Sequence, residues 1–169
     1  MRIVSYRRDE EGWRCGIEVD GSVLDAEEGA RRTGLDEAEA ARLASSRAFV
    51  ALDRETRTGI ALAAGEAGDR IAIEELELGP PIWDPEKIVC LGLNYRDHAE
   101  EAGLEPPKMP MFFAKFANSL VGPRAQIVVP EAAKQIDYEA ELAVVIGRGG
   151  RDILAAEALG HVAGAMAFN

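Results

Sequence analysis

The 169-residue chain is 47% hydrophobic and 29% charged, a composition that excludes a disordered polymer and allows one large domain or two small ones. Its 30 acidic and 19 basic residues leave a net charge of −11, which argues against nucleic acid or an anionic membrane as partner, since both demand a positive footprint. No apolar run approaches the roughly 20 residues that cross a bilayer. The start, MRIVSYRRDEEGW, lacks the apolar stretch of a secretory signal, so a cytoplasmic location is expected by default.

In chain order, Arg2–Tyr6, Trp13–Val19 and Ser22–Asp25 alternate apolar and polar residues and are predicted strands. Val19-Asp20-Gly21-Ser22 between them is a hairpin signal centred on Asp-Gly. Residues 27–64 are rich in Ala, Glu and Arg and predict solvated helices with breaks near Thr33-Gly34 and Thr58-Gly59. Ile71–Leu78 predicts one more strand, and Gly79-Pro80-Pro81 punctuates it. A boundary is placed there, dividing a small N-terminal domain, 1–79, from a second part, 80–169.

In the second part, Lys87–Leu91 predicts a buried strand. Tyr95–Glu101 predicts a helix start capped by Asn94 or Asp97, ended by Pro106, Pro107 and Pro110. Met111–Phe116 and Gln126–Val129 predict strands, Ile136–Gly147 a long strand, Asp152–Gly160 a short helix, and Val162–Asn169 a strand or loop. Cys15 and Cys90 share no motif and are expected to be small buried hydrophobes rather than a disulfide or metal pair.

Two places carry candidate chemistry. Along Ile136–Gly147, alternation puts Tyr138, Ala140, Leu142, Val144 and Ile146 on a face fit for a core, and Asp137, Glu139 and Glu141 on the other. Same-face carboxylates sit about 6–7 Å apart along a strand, and like charges at about 4 Å repel by roughly 4 kcal/mol at an effective dielectric of 20. A divalent cation relieves that repulsion, and oxygen-only ligands favour Mg2+, Mn2+ or Ca2+ over zinc. The competing reading is a sheet face wetted at this end. At the second place, His98 and Glu101 are three residues apart on the predicted helix, so a carboxylate can orient an imidazole as a general base. The competing reading is an exposed helix start whose acids favour the dipole. Arg96 and Lys115 could clamp a substrate carboxylate.

GLNYRDHAEEAG, FFAKFANSLVGP, IDYEAELAVVIG and VAGAMAFN, in this order and spacing, resemble the fumarylacetoacetate hydrolase family. The likeness is to its bacterial 2-hydroxyhepta-2,4-diene-1,7-dioate isomerase and acylpyruvate hydrolase members, and it covers about Lys87 to Asn169. It implies an α+β, mainly β fold, a mixed β-roll or barrel with a small β-rich plus helical N-terminal domain, and a homodimer. It implies a divalent metal, Mg2+ or else Mn2+ or Ca2+, held by Glu139 and Glu141, and His98 oriented by Glu101 as the group that activates water or moves a proton. Lys115 matches a recurring lysine at the site rim, and Arg96 is a weaker match for substrate binding. The implied substrates are small 2-oxo or 1,3-dicarbonyl acids, hydrolysed or isomerised, with aromatic catabolism as the setting. In the family, the run matching Gly164–Asn169 is followed by an aspartate, the third metal ligand, whereas the sequence here ends on Asn169. The expectation is therefore an incomplete catalytic domain, active when completed. The alternative is an inactive fragment serving as a binding or assembly module through open strand edges.

Overall fold

A computed structural model describes the chain except Asp9, Gly68, Ala102 and Pro106; the side chains of Ala67 and His98 also lie outside the described residues. The chain divides into two compact units, Met1–Trp83 with Val121–Asn169, and Asp84–Leu120.

The first unit begins with a five-stranded antiparallel sheet ordered β4-β3-β2-β1-β5. Its strands are β1 (Arg2–Arg7), β2 (Arg14–Val19), β3 (Ser22–Asp25), β4 (Ile71–Ala72) and β5 (Glu77–Gly79). Asp20 and Gly21 both adopt positive φ, 51° and 76°, and Val19 pairs with Ser22. That is the two-residue hairpin the Asp-Gly pair predicts. The single strand expected over Ile71–Leu78 is instead broken by a 3-10 turn at Ile73–Glu75. The reason is geometric: its first half borders β3 and its second half borders β1, at opposite edges of the sheet. Four strand spacings span about 19 Å in a flat sheet, whereas the five residues from Ala72 to Glu77 reach at most about 18 Å. The sheet has to curl.

Helices α1 (Ala26–Arg32), α2 (Glu37–Arg42), α3 (Ser46–Ala51) and α4 (Arg54–Ala67) cover one face of that sheet. Cys15, Ile17 and Leu24 from the strands pack with Ala30, Leu43, Phe49, Ile60 and Ala64 from or beside the helices. The break at Thr33-Gly34 is present, with Thr33 capping α1. The break expected at Thr58-Gly59 is not: Gly59 lies inside α4, with open space beside it, and a solvent-facing glycine costs a helix only about 1 kcal/mol. The actual breaks fall where side chains cap new helices. Asp36 and Glu39 form a reciprocal capping box, Ser45 accepts from Ala48 N–H, and Asp53 accepts from Thr56 N–H.

On the other face, Tyr6, Val23 and Leu76 form a smaller core. There Asp25 accepts from Tyr6 Oη at 2.5 Å and from Arg14 Nε at 2.8 Å, and it caps α1 through Glu28 N–H at 2.9 Å. Burial alone would raise the Asp25 carboxyl, but these donors outweigh it and hold it below its ordinary range. Burial, then the Asp25 charge, pushes the Tyr6 hydroxyl well up. Arg14 also reaches Glu27, which Arg31 closes from its other side, so the network is satisfied internally and reads as structural.

Further along the same unit, β8 (Glu141–Ile146) and β9 (Val162–Phe168) form an antiparallel ribbon. The strand expected from Ile136 begins only at Glu141, because Glu141 and Phe168 are the outermost pair of the ladder. The face expected to be core is open: Leu142 is 72% exposed, Val144 51% and Ile146 61%, while Glu141, Ala143 and Val145 are half-buried. Alternation assigns residues to faces, but both faces here are apolar, so it cannot select the covered one. Gln126–Val129 is exposed and forms no strand. Asp152–Gly160 forms turns and a 3-10 turn, Ala158–His161, rather than a helix; Asp152 sits at φ 53°, outside helical geometry.

The second unit holds β6 (Ile88–Gly92) and β7 (Met111–Lys115), a two-stranded ribbon, with α5 (Arg96–Glu101) between them. Its apolar residues are largely open; Phe112 is 69% exposed. Cys15 is fully buried and Cys90, in β6, is half-buried. No helix among the described residues is long and apolar enough to cross a membrane.

Candidate active site

The chain leaves β6 through Leu93, whose φ of 51° puts a leucine in the left-handed region. That conformation costs about 1–2 kcal/mol and turns the backbone directly into α5. Neither expected residue caps the helix. Asp97 lies in its first turn, and Tyr95 occupies the cap position, its carbonyl accepting from Ala99 N–H at 3.2 Å. The helix ends in a Schellman motif: Leu104 N–H reaches Ala99 O at 2.8 Å and Gly103 N–H reaches Glu100 O at 3.0 Å. Gly103 sits at φ 66°, a backbone that glycine adopts without strain. Ala99 is the buried anchor of α5.

Arg96, His98 and Glu101 thus share one short helix, and the three-residue spacing of His98 and Glu101 puts their positions on one side of it. The imidazole of His98 lies outside the described residues. Arg96 and Glu101 are exposed. Lys115 is not beside them along the backbone. It pairs with Ile88 at the far end of the ribbon from the Gly92–Met111 pair, four residues or about 13 Å away. Its ammonium lies 5.9 Å from the centroid of the Phe113 ring, a weak cation–π contact.

In the other unit, Glu141 is the first residue of β8 and half-buried. Glu139 precedes the strand, so the two glutamates do not lie on one regular strand as the alternation predicts. Its backbone is nevertheless fixed, since Glu139 N–H donates to Asn169 Oδ1 at 2.6 Å. Asn169 thus holds the Glu139 backbone, a contact that only the pairing of the acidic segment with VAGAMAFN could have pointed to. The Asp137 carboxylate is occupied by Tyr138 N–H at 2.8 Å, which sets it apart from the two glutamates. Among the described residues, no ion pair or hydrogen bond engages the Glu139 or Glu141 carboxylate, and no three His, Cys, Asp or Glu side chains gather as a ready ligand set. Two uncommitted oxygen donors of this kind fit a hard divalent cation that retains several waters.

A family model for the fumarylacetoacetate (FAA) hydrolase C-terminal region matches residues 87–169, the segment that contains all six candidate residues. The mitochondrial oxaloacetate tautomerase FAHD2B of Homo sapiens is 49% identical over 87 residues, which are 52% of this chain and 27% of that protein. A fumarylacetoacetate hydrolase domain-containing protein 2 homolog of Dictyostelium discoideum is 45% identical over 95 residues, 56% of this chain and 31% of that protein. The chain thus matches about a quarter to a third of these curated relatives' length. Among solved structures, maleylpyruvate hydrolase from Sphingobium sp. SYK-6, in complex with manganese (II) ion and pyruvate, superposes with a TM-score of 0.69 at 26% identity, over 99% of this chain and 57% of that one. The fumarylacetoacetate hydrolase of Exiguobacterium antarcticum gives 0.62 at 25% identity, over 98% and 55%. The fold is accordingly the α+β type of these enzymes, and from residue 87 to residue 169 the chain belongs to the fumarylacetoacetate hydrolase family.

Proposed function

We propose that this chain contributes part of a divalent-metal-dependent active site for small 2-oxo or 1,3-dicarbonyl acids, through acylpyruvate-type carbon–carbon hydrolysis or isomerisation. The observation that carries the reading is the family match over the segment holding every candidate residue. Glu139 and Glu141 would hold the cation, Mg2+ by preference, or Mn2+ or Ca2+. Bound there, it would supply positive charge for the oxygens of a 2-oxo acid. Manganese and pyruvate in the Sphingobium neighbour support both the metal class and the acid class. His98, oriented by Glu101, gives or takes the proton; Arg96 and Lys115 hold the substrate carboxylate. A tautomerisation and a hydrolytic cleavage both need a proton moved next to a polarised carbonyl, so relatives named for either chemistry fit one set of residues.

We further propose that residues 1–79 form a small N-terminal domain, that 80–169 is the first part of the catalytic domain, and that activity needs polypeptide equivalent to the remainder of the solved relatives. A cytoplasmic homodimer is part of the same reading. The test joins the chain to such a remainder and follows acylpyruvate cleavage and oxaloacetate tautomerisation in Mg2+ and Mn2+. Turnover that falls at least about a hundredfold in His98→Ala supports the reading; background rates in both proteins refute it.

One observation favours a second reading, an inactive binding or assembly module: the apolar faces of both ribbons are open. A melting temperature unmoved by millimolar Mg2+ or Mn2+ in the isolated chain would favour the module.

A further inference from the structure

We infer that helices α3 and α4 of the N-terminal segment are the seat that positions the acidic ribbon, with Arg57 as the positioning residue. The ladder of β8 and β9 slips by one residue at its closed end: Val145 pairs with Gly164, but Ile146 pairs with Val162. Ala163 is the extra residue, and the extra residue of a bulge is left out of the pairing. Its carbonyl is taken up from outside the ribbon, by Arg57 Nη1 of α4 at 3.3 Å. The Nε atom of Arg57 is buried and has no hydrogen-bond partner among the described residues, so packing rather than solvent holds this guanidinium against β9.

Gly147, the residue after β8, touches the same place from the other side. A Cβ built on it would lie 2.4 Å from the Val50 carbonyl oxygen of α3 and 2.7 Å from the Ala163 Cβ. Val50 is in the last turn of α3, where helix carbonyls lack helical partners. Only a residue without a side chain lets the ribbon approach that closely. Gly122 repeats the arrangement, its Cβ position falling 2.0 Å from Leu78 O at β5. A lone two-stranded ribbon is marginal in water. This one is fastened at one end, and Glu141 lies at the other, five residues or about 17 Å along β8.

Hydrogen exchange and Mn2+ titration on the whole chain test the inference, the metal arm alone resting on the proposed function. In Gly147→Ala and Arg57→Ala, exchange in β8 and β9 is expected to rise on the order of tenfold while β1–β3 stay protected. In Arg57→Ala, Mn2+ binding is expected to weaken roughly three- to tenfold, with recovery in Arg57→Lys. Unchanged exchange in the ribbon of both variants overturns the inference. So does a loosened ribbon that binds Mn2+ as tightly as wild type. If Glu139→Gln with Glu141→Gln leaves Mn2+ binding intact, the metal reading has failed instead, and exchange alone decides.

Discussion

Residues 1–79 and the family segment 87–169 handle apolar surface in opposite ways. Apart from Ala99 and His161, every buried residue among those described lies between Ser5 and Gly79. The N-terminal segment covers its own sheet with its own helices and closes its polar groups on one another, as around Asp25. The family segment holds its strands in two separate ribbons and leaves Phe112, Leu142, Val144 and Ile146 open. One region therefore closes on itself, whereas the other leaves apolar side chains open. Glu139 and Glu141, whose carboxylates have no protein partner among the described residues, lie in the second region.

The contrast breaks or sharpens on mutation. Phe49 is fully buried between the strands and helices, so Phe49→Ala is expected to cost about 3–5 kcal/mol in urea unfolding. A loss below about 1 kcal/mol would mean the N-terminal core is not what it looks like. Asp25→Ala removes a helix cap and the acceptor for Tyr6 and Arg14, and should cost about 2–4 kcal/mol. Its pH signature has a definite sign. The folded carboxyl lies below the unfolded value of 3.8, so its contribution is present above that pH and is lost as the pH falls through the folded value. Tyr6 acts oppositely: its folded hydroxyl lies above the unfolded value of 10.0, so its contribution is present below pH 10.0 and is lost as the pH rises through the folded value. Acid and alkaline melting curves of wild type and Asp25→Ala should diverge within the stable range and converge at the acid extreme. The smallest effect is expected on the open ribbon face, where Leu142→Ser should change stability by no more than about 0.5 kcal/mol. A large loss there would show that the face is covered in solution.

Much of this contrast is legible in the sequence. The Asp-Gly hairpin and the first helix break follow from turn chemistry, and β6, β7 and the second half of the expected Ile136–Gly147 strand follow from their apolar pattern, whereas Val162–Asn169 reads equally as strand or loop. The capping residues Asp36, Ser45 and Asp53 were readable signals for the helix breaks, and Gly59 was a misleading one. Which face of β8 is covered was not readable, since Leu142 to Ile146 are apolar on both. The strand's true start was hidden too, because it depends on where β9 ends its pairing, at Phe168. Strand alternation singles out Glu139 and Glu141, helical spacing His98 and Glu101, and basic character Arg96 and Lys115, and the motif resemblance gives all six their roles. The structure places Arg96 and Glu101, with the backbone of His98, on one helix, and sets Lys115 at the far end of its ribbon. Asn169, which holds the Glu139 backbone, came only from geometry.

Calorimetric titration of Mn2+ into the chain and into its Glu139→Gln, Glu141→Gln variant tests the central claim most directly. One saturable site in the wild type that disappears from the variant is the predicted result. Equal heats in the two proteins, or none in either, would contradict it.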